Sequence, residues 1–114
     1  MKDCTFCKII AGEAPGDIVY SDEEVTAFHD IRPVAPVHIL IVPNEHIRSV
    51  NEITSQDEAL VGHMLYVAGK IAKEKKIQES GYRLILNTGP DAGQAVFHLH
   101  LHLIGGQHVR YPMG

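Results

Sequence analysis

A chain of 114 residues is long enough for one core and too short for two, and 45% hydrophobic with 21% charged residues is an ordinary globular balance. The formal charge of -4 excludes a broadly basic surface, so no nucleic-acid partner is expected. No apolar run approaches the ~20 residues needed to cross a bilayer. With Met1-Lys2-Asp3-Cys4 lacking an apolar signal core, the expectation is a cytoplasmic protein with no membrane partner.

In chain order, Phe6, Ile9 and Ile10 suggest a short amphipathic helix that stops near Gly12. Ile18-Val19-Tyr20 and Val25-Thr26-Ala27-Phe28, parted by four polar residues, read as a hairpin. Pro33 and Pro36 interrupt regular structure, and His38 to Val42 is a strand ended by Pro43. Ser55-Gln56-Asp57-Glu58 has the form of a capping box, and Leu60, Met64, Val67, Ala68, Ile71 and Ala72 recur at helical spacing to about Lys76. Tyr82 to Leu86 is a further strand, Thr88 to Gly93 a glycine-bearing turn, and Val96 to Ile104 the last strand before an irregular tail. Together these predict one α+β domain over residues 1–114. Its mainly antiparallel five-stranded sheet carries one long helix and a short N-terminal one.

The residues that carry chemistry are His98-Leu99-His100-Leu101-His102. Alternation along a strand puts the three imidazoles on one face and Leu99, Leu101 and Leu103 on the other, against the helix layer. A solvated sheet face needs no histidine, since Thr, Lys or Glu would serve there. One metal held by all three is excluded by reach: His98 and His102 would stand ~13 Å apart along a strand, whereas a zinc–nitrogen bond is ~2.0–2.1 Å. The row must divide its duties. The Thr88–Gly93 turn leads into it, and glycine lets backbone N–H groups approach an anion closely.

The run His98-Leu99-His100-Leu101-His102-Leu103-Ile104 resembles the histidine triad signature, His-φ-His-φ-His-φ-φ with φ apolar. Similarity to the Hint branch, purine nucleoside phosphoramidases, extends over nearly the whole chain. It is carried also by Phe28-His29-Asp30-Ile31, the Pro-x-x-Pro-x-His run ending at His38, Asn87, Gly93-Gln94 and Tyr111-Pro112-Met113-Gly114. The resemblance implies hydrolysis of purine nucleoside 5′-phosphoramidates, conjugates of AMP or GMP, with His100 as the nucleophile that forms a nucleotidyl-histidine. It further implies that His102 donates a hydrogen bond or proton near the leaving group and that His38 supports the triad. Phe28 and Ile31 would line the base pocket and Asp30 would accept from ribose hydroxyls. Asn87 would hold the nucleotide, and Gly93, Gln94 and Ala95 would contact phosphate. Ala95 departs from relatives with a polar side chain there, and Tyr111 from those with tryptophan. A homodimer is implied too, with the tail near the partner's site.

Cys4-x-x-Cys7 alone is open to three readings: a metal pair, a redox pair, or two small hydrophobes. Some triad relatives combine such a pair with two histidines to hold zinc, and the matching positions here are His46 and His98. The resemblance thus implies a structural Cys2His2 zinc and no organic cofactor. Two other functions stay open: cleavage of dinucleoside polyphosphates, and a nucleotide-binding adaptor without turnover.

Overall fold

The computed structural model describes residues 3–109. Helix α1 (Thr5–Ile10) is followed by strands β1 (Ile18–Ser21), β2 (Val25–His29) and β3 (Val37–Pro43). Helix α2 (Glu58–Glu74), β4 (Tyr82–Leu86) and β5 (Leu101–Gly105) complete the fold. The five strands form one antiparallel sheet in the order β1-β2-β3-β5-β4, so β5 is inserted between β3 and β4. The α+β architecture, the hairpin and both helices agree with the sequence reading. No helix among the described residues is long and apolar enough to cross a membrane.

Period-two alternation divides the core into two layers. Val25, Ala27, Ile39, Ile41, Leu101 and Leu103 face α2, where Met64, Val67, Ala68, Ile71 and Ala72 meet them. Phe28, Leu40 and Val42 point the other way and are covered by Cys4, Phe6 and Ile9 of the N-terminal segment. The face carrying the histidines is therefore roofed by α1. The Phe6 ring lies 5.1 Å from that of His100 and 5.9 Å from that of His98, edge to face in both cases.

Three local expectations are corrected. The last strand begins at Leu101, not Val96: β3 and β4 reach it only through Ile41↔Leu101 and Leu86↔Leu101. Beyond that point Leu99 N–H donates to Ile47 O at 2.7 Å instead of to a strand. His98 and His100 thus precede β5, and only His102 lies within it. The capping box is formed one residue earlier than Ser55, by Thr54 and Asp57, at the start of the 3-10 turn that leads into α2. Helix α2 ends at Glu74, two residues short of Lys76. Lys76 takes the left-handed conformation (φ 60°), and Ile77 N–H reaches back to Ala72 O at 3.0 Å, a Schellman stop. Residues 110–114 of the expected tail, Tyr111 included, lie outside the described residues.

Candidate active site

The histidine row enters the sheet from a loop, and each member is held by a different backbone or side-chain partner. His98 is fully buried, and its Nε2–H donates to Pro43 O at 2.8 Å. Pro43 closes β3, so its carbonyl accepts a side chain from the incoming loop. With that proton on Nε2, the Nδ1 lone pair faces Cys4 Sγ at 3.3 Å and Cys7 Sγ at 3.5 Å. His46 Nδ1 lies 3.3 Å from Cys7 Sγ. Candidate ligand atoms of Cys4, Cys7, His46 and His98 all fall within 4.8 Å of one another.

That set is assembled by α1. Cys4 is its N-cap and accepts from Cys7 N–H at 3.3 Å, which places both sulfurs on the side facing His98. Burial pushes the Cys7 thiol up, and the adjacent Cys4 adds to the effect. That environment favours the protonated Cys7 thiol, and a bound metal cation is what would draw the proton off it. The donor set fits a tetrahedral metal ion, and His98 has the hydrogen bond to a backbone carbonyl typical of a ligating imidazole.

His100 is 8% exposed, and its Nδ1–H donates to His98 O at 2.7 Å. The proton is fixed on Nδ1, leaving Nε2 as a lone pair with no hydrogen bond among the described residues. Burial lowers its pKa against the opposing pull of that carbonyl bond, so the ring is neutral at neutral pH. A neutral imidazole with one nitrogen pinned and the other bare is a competent nucleophile.

His102 pairs across the sheet with Leu40 and Ile85, and its ring lies 5.0 Å from that of His100. Its Nδ1 is 2.9 Å from His38 Nε2 on β3. Val34 N–H donates to His38 Nδ1 at 3.2 Å. Asp30, just after β2, places Oδ2 3.3 Å from His38 Nε2 while Oδ1 accepts from Arg32 N–H at 2.8 Å. Burial, then the neighbouring His100 and His38, push His102 down to about 4, against the pull of Asp30. His38 is lowered by burial as well. Asp30, His38 and His102 also have candidate ligand atoms within 4.8 Å of one another. A ligating His38 would need its proton on Nδ1, where the Val34 amide already points a donor. This second group is a hydrogen-bonded chain.

The remaining expected residues divide between open and closed positions. Ile31 is 88% exposed beside Asp30, whereas Phe28 is 3% exposed with its ring 5.3 Å from that of Phe6. Asn87 is half-buried at the end of β4. Gly93 takes φ 79° and closes the turn, and Ala95 is exposed. The Gln94 side chain is spent on the loop itself: Oε1 accepts from Gly89 N–H at 2.8 Å, and Nε2 donates to Arg48 O at 2.8 Å and to Val96 O at 3.2 Å. Contacts from this segment to an anion fall to its backbone. Sequence reasoning missed Phe6 as the roof of the row, along with the Pro43 carbonyl and the Val34 amide. Phe6 carried a signal in its helical spacing; the two backbone groups carried none.

Residues 11–109 match the HIT domain family, and the chain belongs to it. Over 113 residues the sequence is 52% identical to the purine nucleoside phosphoramidase of Escherichia coli K12, covering 99% of this chain and 92% of that one. It is 54% identical over 102 residues to an uncharacterised HIT-like protein of Buchnera aphidicola, covering 90% and 91%. The fold superposes on the crystal structure of a HIT family hydrolase from Legionella pneumophila with a TM-score of 0.95 at 44% identity, covering 98% of this chain and all of that one.

Proposed function

We propose that the protein is a hydrolase of purine nucleoside 5′-phosphoramidates that works through a nucleotidyl intermediate on His100. The observation that carries this is the bare Nε2 of a neutral His100 whose Nδ1–H is held by the His98 carbonyl. Nε2 attacks the α-phosphorus; the new P–Nε2 bond forms as the bond to the amine breaks, and the departing amine takes its proton from solvent water. Water then cleaves P–Nε2 and releases the nucleoside monophosphate. His102 donates to the phosphoryl group, backed by His38. Asp30 accepts from ribose hydroxyls, Ile31 and Phe28 form the apolar side of the base site, and Asn87 holds the nucleotide. The backbone of Gly93, Gln94 and Ala95 contacts phosphate. Purine preference rests on the similarity to the E. coli enzyme named for it.

Cys4, Cys7, His46 and His98 are proposed to hold zinc. Four protein ligands close the ion's coordination, so its contribution is structural: it ties α1 to the loop before β5. The enzyme is further proposed to be a cytoplasmic homodimer. In support of dimerisation, β4 is an edge strand exposing Leu84 (36%) and Leu86 (39%), and α2 exposes Leu65 (48%) and Tyr66 (68%).

The decisive experiment is mass spectrometry of enzyme quenched during turnover of an adenosine 5′-phosphoramidate. An adenylyl group on His100 is expected, and His100→Ala should bind AMP without acquiring it. Turnover of His100→Ala at the wild-type rate would overturn the assignment. A diadenosine polyphosphate serves as the competing substrate, and is expected to turn over more slowly.

A further inference from the structure

We infer that the backbone amide of Val34 sets the tautomers of His38 and His102, so that His102 presents a fixed Nε2–H to the phosphoryl group. The inference rests on the proposed chemistry for its purpose, but its geometry stands apart from it.

A backbone N–H can only donate. Val34 N–H lies 3.2 Å from His38 Nδ1, so that nitrogen must be an unprotonated acceptor. A neutral His38 therefore carries its proton on Nε2. That N–H is shared between His102 Nδ1 at 2.9 Å and Asp30 Oδ2 at 3.3 Å. If His102 also carried a proton on Nδ1, two N–H groups would face each other across 2.9 Å. His102 Nδ1 must therefore accept, which leaves its proton on Nε2. One amide thus orients two rings across two strands, and the Asp30 carboxylate accepts from the same His38 N–H. Val34 sits in the Pro33–Pro36 segment, whose prolines restrict the backbone, and its carbonyl accepts from Gln107 Nε2 at 3.4 Å. The Val34 side chain is 45% exposed. Its place in the site belongs to the amide alone.

The chain also defines what His102 can do. Releasing its Nε2 proton outright would leave an anionic ring unless His38 passed a proton along, and His38 has none to spare on Nδ1. His102 keeps its proton and offers it as a hydrogen bond to charge developing on phosphorus-bound oxygen.

The test is nitrogen-15 NMR of the histidine rings in the whole protein, which distinguishes the two neutral tautomers by their ring-nitrogen shifts. In the wild type near neutral pH, His38 and His102 are expected as Nε2–H tautomers and His100 as Nδ1–H. Val34→Pro deletes the donor; His38 is then expected to populate Nδ1–H, and kcat to fall by roughly tenfold or more. Val34→Ala keeps the amide and should match the wild type in both respects. A wild-type His102 protonated on Nδ1 overturns the inference, and that measurement needs neither the proline variant nor any substrate. So does a folded Val34→Pro protein with unchanged tautomers, or an equal loss in Val34→Ala. Failure of the phosphoramidase assay with the expected wild-type tautomers would count against the proposed function and leave the tautomer assignment standing.

Discussion

The two ends of the histidine row look alike in composition and differ in chemistry. Cys4, Cys7, His46 and His98 cluster at one end and Asp30, His38 and His102 at the other, each with candidate ligand atoms within 4.8 Å. At the first end, His98 donates its Nε2–H to a carbonyl and turns a lone pair inward. At the second, His38 receives a backbone N–H on Nδ1 and turns a proton inward. Proximity of donor atoms is common to both; the partner of the far ring nitrogen decides which end suits a cation. Between them, His100 has its proton pinned by a carbonyl and its lone pair free.

The largest expected effect of breaking this contrast is at the metal end. Cys4→Ser should lose about one equivalent of zinc per chain in elemental analysis and about 3 kcal/mol of stability, read as a fall of roughly 15 °C in Tm. A wild-type protein purified without an affinity tag that holds no metal, yet melts as the variant does, would remove the distinction between the ends.

Acid should act on the second end. His102 is held at about 4 in the folded chain against ~6.5 unfolded, so the unfolded state binds the extra proton first. Its stabilising share is complete above about pH 6.5 and is lost as pH falls toward 4, on the order of 2 kcal/mol by pH ~4.5. Thermal unfolding across that range should show the slope, and His102→Gln should flatten it. A steepened slope in the variant would contradict the sign.

Smaller again, Asp30→Asn should leave the zinc content at one per chain while weakening AMP binding about tenfold by calorimetry, since a neutral amide is a poorer acceptor for ribose hydroxyls. Altered metal content would give the acidic end a share in the cation. The least effect is expected from Ala95→Ser, an exposed position lining a cavity with Cys4 and His46. Rates should move within about threefold and differ among leaving groups, and identical kinetics across several leaving groups would leave Ala95 without influence on them.

Much of this was legible in the chain itself. Alternation places Leu99, Leu101 and Leu103 in the α2-facing core, although His98 and His100 stand before the strand, so strand spacing does not apply to them. The last strand is shorter than its pattern suggests because apolar alternation extends beyond Leu101, where pairing with both neighbouring strands stops. The cap was displaced because Thr54–Asp57 and Ser55–Glu58 offer the same pattern one residue apart. Beyond the end of α2, Lys76 takes a left-handed conformation that glycine usually supplies, so no glycine marks the stop. The tautomers were beyond reach altogether, since Val34 N–H and the Pro43 and His98 carbonyls are groups that every such residue has, distinguished only by where the chain carries them.

The end of the ladder at Leu101 has a dynamic consequence. His102 is clamped between two strands, whereas the Leu99 amide lies outside the ladder and donates to the Ile47 carbonyl. In native-state hydrogen exchange, the amides of β5 should open only with the whole molecule, and that of Leu99 through a smaller local excursion. His100 stands on the boundary between these two cooperative units. The His100 Nδ1–H stays on the His98 carbonyl only while both remain closed, and the aim of its Nε2 is set by the weaker of them.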